Sequence, residues 1–160
     1  MNFSPQSRVW LYVSSREFTL PETTELNDLL NQFCIQWAAH GKDLYAKGEV
    51  LHQQFILLMV DETHAGASGC SIDTSVHFIQ SLERKYNIQL FNRMLVAIKD
   101  GEEVKVIDSL AAKKQIEEGI LNENSLVFNS LIQTKAEFDT RFIIPLNESW
   151  LAKYLKTVKA

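Results

Sequence analysis

The sequence predicts an α+β domain with one mixed, largely antiparallel sheet. Three observations carry this expectation. Apolar patterns in the first 100 residues run in the order β-α-β-β-α-β, the order of a ferredoxin-like split βαβ start. The run Phe55–Val60 is apolar at every position, which suits a strand covered on both faces. Asp100-Gly101 separates two β-rich runs, a strong hairpin signal. The chain of 160 residues suffices for one such domain, 1–160, with extra strands and a C-terminal helix after the start.

Each element has its own warrant. Residues 8–14 are rich in β-branched and aromatic side chains and read as a first strand. Pro21 suits a first helical turn. Leu26, Leu29, Leu30, Phe33 and Trp37 follow at helical spacing, with Trp37, His40 and Gly41 expected at the helix end. Lys47-Gly48 reads as a two-residue turn between a short strand at 43–46 and a long one at 49–61. Ile72, Val76, Ile79, Leu82 and Tyr86 mark a second helix ending near Asn87. Strands at 95–99 and 103–108 flank Asp100-Gly101. Ser109 can cap a helix to Glu118 with Gly119 as its stop. Residues 126–133 and 141–144 read as further strands. Ser149 can cap a last helix carrying Leu151, Tyr154, Leu155 and Val158.

Hydrophobic residues make up 46% and charged residues 22%, the composition of a chain that folds rather than stays disordered. The net charge of −4 argues against nucleic acid, which selects a basic face. The short clusters Lys113-Lys114 and Lys153, Lys156, Lys159 do not make one, and the latter fit a helix C-terminus. No apolar run approaches the ~20 residues of a membrane span. The first residues carry no apolar signal core, and Cys34 and Cys70 make no disulfide framework, so a reducing cytoplasm is expected.

The stretch after the buried strand carries the functional expectation. Asp61 and Glu62 end the strand, small residues follow, and a helix begins near Ser71. A loop of Gly, Ala and Ser lets a ligand approach the backbone, and a helix start offers free N–H groups to an anion. Asp61, Glu62, Ser68, Gly69, Cys70, Ser71 and Asp73 are therefore the candidate contacts for a small anionic ligand or a protein partner. The plain alternative is a strand-to-helix connection capped by Ser71 or Asp73. Asp61-Glu62 after six apolar residues also matches a Walker B strand, with Asp61 on Mg²⁺ and Glu62 on water. Its necessary companion, Gly-x-x-x-x-Gly-Lys-Ser/Thr, is absent: Gly41-Lys42 precedes Asp43, and Gly66-x-x-Gly69 has no lysine. P-loop ATPase activity is not expected.

Several segments carry a resemblance: Trp37-x-x-His40-Gly41, residues 55–62, Ala67-Ser-Gly-Cys-Ser-Ile-Asp73, Leu90-Phe91-x-Arg93, Val127-Phe128-Asn129, Thr134-Lys-Ala-Glu137 and Ser149-Trp150. Over essentially the whole chain they resemble a small family of uncharacterised bacterial proteins of this length. Members often bear the label "ABC transporter ATPase", which the residues here do not support. The resemblance implies no activity and no catalytic residues.

Cys70 near a helix start could act as a thiolate nucleophile, with His64 or His52 as base. No cysteine-hydrolase signature surrounds it, and a small packed residue is the plain reading; Cys34, beside Phe33, reads as core. His40, His52, His64 and His77 form no metal-ligand spacing, and Asp61, His64, Cys70 and Asp73 are weak as a set, so no metal is expected and no cofactor is named. Lys135, Glu137 and Arg141 read as a solvated face. The leading expectation is a non-catalytic cytosolic binding or regulatory domain acting through residues 61–75. A thiol-dependent enzyme centred on Cys70 is the alternative. A third is a homo-oligomer paired through 140–145, which Pro145 limits.

Overall fold

The computed structural model describes residues 2–39 and 41–155. The long elements come in the expected order: β1 (Arg8–Val13), α1 (Leu20–Gln36), β4 (Ala46–Leu51), β5 (Phe55–Val60), α2 (Gly69–Tyr86) and β6 (Leu95–Asp100). A small hairpin of β2 (Ala38–Ala39) and β3 (Lys42–Asp43) intervenes after α1. Then come β7 (Glu103–Asp108), α3 (Ser109–Glu117), β8 (Leu126–Phe128), α4 (Lys135–Arg141) and β9 (Ile143–Pro145). Two 3₁₀ turns, Leu146–Glu148 and Trp150–Tyr154, follow.

The strands form two main antiparallel sheets, ordered β1-β5-β4 and β7-β6-β8-β9. Strand β6 does not complete a single ferredoxin-like sheet. The outer side of β1 is already taken, because Val9 N–H donates to the Gln133 carbonyl and Arg8 bridges to Thr134. The second sheet instead packs face to face on the first. Phe55 and Val13 meet Ala97 and Phe128 in this middle layer, and Leu57 and Met59 meet Phe3, Val9 and Ile132 beside it. The opposite faces are covered by helices. Ile56, Leu58 and Val60 pack with Leu26, Leu30, Ile79 and Leu82 of α1 and α2. Val96, Ile98, Val127 and Ile144 pack with Ala112 and Ile116 of α3 and with Leu146 and Leu151. The result is a helix–sheet–sheet–helix stack within one α+β domain, and it explains why all six residues of β5 are buried.

Local chemistry sets the boundaries. Thr19 and Glu22 form a capping box, with Pro21 in the first turn of α1. The helix ends at Gln36, one turn earlier than expected, because Trp37 is extended and directs its indole into the core. Gly41 (φ +76°) serves the β2–β3 turn instead, and His40 lies outside the described residues. Lys47-Gly48 is no turn: both residues lie inside β4. Glycine is needed at 48 because a Cβ there would stand 3.0 Å from Leu58 Cδ2 and 3.3 Å from Leu30 Cβ, so α1 can lie close on the strand. The turn falls at His52-Gln53, both with positive φ, where Gln54 N–H donates to the Leu51 carbonyl. Gln53 is held there by its amide, which donates to the Phe18 carbonyl at 2.8 Å. The outer edge of β4 is guarded, since Asn27 of α1 accepts from Val50 N–H at 2.9 Å.

Other caps and strands shift as well. Ser68, not Ser71 or Asp73, caps α2, and Asn87 ends it in the left-handed region. Asp108, not Ser109, caps α3, whose carboxylate accepts from Ala111 N–H. The β6–β7 turn centres on Gly101-Glu102, one residue later than expected. The expected strands at 126–133 and 141–144 shrink to three residues each around α4, which Thr134 caps. Ser149 caps a 3₁₀ turn rather than a longer helix; Val158, Lys156 and Lys159 lie outside the described residues.

Glu22 gives a pH prediction. The Arg16 guanidinium, donating at 2.8 Å to each oxygen, and then the Thr19 N–H hold its carboxyl down to about 2. A folded-state pKa below the unfolded value gives stability that is present at neutral pH and lost as pH falls from 4.5 toward 2. The Glu22→Gln variant is therefore expected to show a shallower loss of urea resistance across that window than the wild-type chain. Parallel profiles would remove this pair from the acid response.

Candidate functional site

The chain leaves β5 at Asp61 and enters α2 at Gly69, and the connection is fixed from within. Asp61 is buried at 3% exposure. Its Oδ1 accepts from Thr63 Oγ1 at 2.7 Å and Thr63 N–H at 3.0 Å, and its Oδ2 accepts from Ser4 N–H at 2.9 Å. The Thr63 hydroxyl first, then the Ser4 and Thr63 amides, hold the carboxyl below the ordinary aspartate range. Glu62 is exposed, yet its Oε2 accepts from Ala67 N–H at 2.9 Å and its Oε1 stands 3.6 Å from Arg8 Nε. Both acidic residues are thus clamps on their own loop. The Walker B look-alike dissolves into turn chemistry, with the Asp61 oxygens occupied by protein donors.

The start of α2 is equally determined. Ser68 Oγ accepts from Ser71 N–H at 3.2 Å, and Ser71 Oγ accepts from Ser68 N–H at 2.7 Å. This is the reciprocal capping box, with serine in the place usually held by Glu or Gln. Ser71 is buried, and its carbonyl accepts from Trp37 Nε1–H at 2.8 Å. Trp37 therefore nails the helix start to the end of α1. Sequence reasoning assigned Trp37 to the core but missed this bond; the Ser68-x-x-Ser71 spacing was the readable signal for the cap.

Around these anchors the loop turns its remaining groups outward. Glu62, Thr63, His64, Gly66, Gly69, Cys70 and Asp73 are exposed. His64 stands edge-on to Tyr45, with ring centres 4.5 Å apart, and Tyr45 stacks on Phe3 at 4.8 Å. At Gly69 a Cβ would meet nothing within 4 Å, so the surface there is open. Of the seven candidate contacts, Asp61 and Ser71 face inward, Ser68 is half-buried, and the other four reach solvent.

Of the candidate catalytic groups, His52 and Cys70 are not brought together. His52 lies at the turn before β5 and Cys70 beyond its far end, separated by roughly 20 Å of strand at about 3.3 Å per residue. His52 instead contacts the rings of Phe55, Phe128 and Phe142. Among the described residues no hydrogen bond joins Cys70 to a histidine, and no group of three His, Cys, Asp or Glu side chains is placed to hold a metal ion. No helix among them is long and apolar enough to cross a membrane.

The two thiols are sharply distinguished. Cys70 is exposed, whereas Cys34 is buried and its thiol is pushed up to about 12 by desolvation. A maleimide at neutral pH is expected to add once to the folded chain, at Cys70, and not at all to the Cys70→Ser variant. Intact-protein mass checks this, and two rapid additions would contradict the packing of Cys34.

Two cavities lie elsewhere. One of about 10 Å³, room for about one water, is lined by Val13, Leu95, Phe128, Ser149 and Trp150 among others. An open depression of about 400 Å³ borders Ser15, Asn87, Ile88 and Gln89. Neither includes any residue from 61 to 75. Comparison with protein-family models, with curated proteins and with solved structures finds no match for this chain.

Proposed function

We propose that this chain is a non-catalytic binding module whose contact surface is residues 62–73, the loop after β5 and the first turn of α2, and that its partner is a protein. One observation carries the reading: hydrogen bonds within the loop and to the scaffold fix its backbone, while among the described residues the exposed side chains of His64, Cys70 and Asp73 make no hydrogen bond. Asp61, Ser71 and Trp37 spend their hydrogen bonds on the scaffold, whereas His64 only meets the Tyr45 ring edge-on. A surface ordered in advance loses less entropy on binding.

A protein fits better than a small anion. The Glu62 carboxylate already accepts the Ala67 N–H just before the helix, so a negative ligand approaching that position meets a like charge.

The test compares partners retained by the wild-type chain with those retained by Gly69→Val and Asp73→Ala. Both positions are exposed, so both variants should fold. Loss of the same protein by both supports the reading. Retention of every partner by both variants overturns the placement, and a bound small anion in the native mass spectrum overturns the partner class.

A further inference from the structure

The N-terminal segment reaches the candidate loop along two independent routes. Along the backbone, Ser4 N–H donates to Asp61 Oδ2 at 2.9 Å, and Asp61 in turn holds Thr63. Along the rings, Phe3 stacks on Tyr45 at 4.8 Å with planes 13° apart, and Tyr45 meets His64 edge-on. Tyr45 closes the circuit, since its carbonyl accepts from Asp61 N–H at 2.9 Å. At its other end the segment is tied to α4: Pro5 and Ser7 carbonyls accept from Ala136 and Lys135 N–H, each at 2.9 Å. Phe3 is buried against Leu57, Met59 and Ile132, which gives the segment a fixed seat.

We infer that Phe3 and Ser4 are positioning residues for the 62–67 part of the contact surface. Neither belongs to the loop, yet together they set where Asp61 and His64 stand. The charge-assisted bond from Ser4 and the aromatic stack from Phe3 are of the kinds that fix orientation as well as add stability. This inference rests on the proposed function only in calling the loop a contact surface. The positioning itself is a property of the free chain and is measured without any partner.

The experiment follows amide exchange by NMR in the full chain and two variants. Phe3→Leu keeps an apolar side chain in the seat and removes the ring stack. Ser4→Pro removes the donor to Asp61. Both are expected to accelerate exchange at Thr63 and Ala67 by about tenfold or more, with exchange in the middle of β5 unchanged. Phe3→Tyr, which preserves the stack, is expected to restore the wild-type rate. Unchanged loop exchange in both variants overturns the inference. So does an equal acceleration in β5, which would mark the segment as general core. If the loop loosens but the retained partners do not change, the positioning stands and the proposed function fails.

Discussion

Replacing Trp37 by alanine is expected to remove about 3–5 kcal/mol of stability, the range for truncating a buried aromatic. The ring is 2% exposed, contacts Phe33 and Trp10 at 5.1 and 5.9 Å between centres, and donates its indole N–H to Ser71. Trp37→Phe keeps most of the volume and loses the bond, so it should cost far less, about 1 kcal/mol. The two variants separate packing from tethering. Trp37→Phe should also loosen the first turn of α2 while leaving its middle unchanged. Chemical denaturation followed by circular dichroism gives the stabilities, and equal losses in both variants would mean that the hydrogen bond, not the ring, dominates.

Phe55→Ala is expected to cost a similar 3–5 kcal/mol, for a different reason. Phe55 is fully buried between the two sheets, with Phe128 and Phe142 rings at 5.0 and 5.3 Å. Its removal opens a void on the face where β5 meets β6 and β8, which neighbouring side chains can only partly fill. Phe55→Leu, which keeps most of the volume, should cost less than about 2 kcal/mol. A cost below about 1 kcal/mol for Phe55→Ala would contradict the face-to-face packing of the sheets.

These two residues mark what the sequence disclosed. The unbroken apolar run at 55–60 announced a strand covered on both sides, because burial of both faces leaves that pattern in any order of contacts. It did not announce what covers each face. That depends on β6 pairing with β7 and β8 rather than with β1, a choice made by Gln133 and Thr134 far along the chain. Gly48 misled for a related reason. After lysine it resembles a turn, but its small size serves the approach of α1, which no local pattern records. The true turn used His52 and Gln53, residues that seldom take positive φ, so it carried no Gly or Asn signal. The α4 helix was too short for a periodic stripe, although Thr134 and Glu137 stood at capping-box spacing.

The candidate site was legible in outline and not in its wiring. Small residues between a strand and a helix showed that a special connection was present. The roles of Asp61 and Glu62 were hidden because Ser4 and Arg8, two of their partners, stand more than 50 positions earlier. Ser68 carries only a weak cap signal in the sequence, since serine is an unusual third-position partner in a capping box. The proposed pairing of Cys70 with His52 looked open in one dimension, and the length of β5 separates them.

A contact surface at residues 62–73 that binds at low entropic cost must be ordered before anything binds it. Amide exchange in the wild-type chain measures this most directly. Slowed exchange is expected at Thr63, Ala67 and Ser68, whose N–H groups donate to Asp61, Glu62 and Ser71 despite their exposed or half-exposed positions, and at buried Ser71, whose N–H donates to Ser68. Exchange at those four amides as fast as in an unfolded chain would contradict that order.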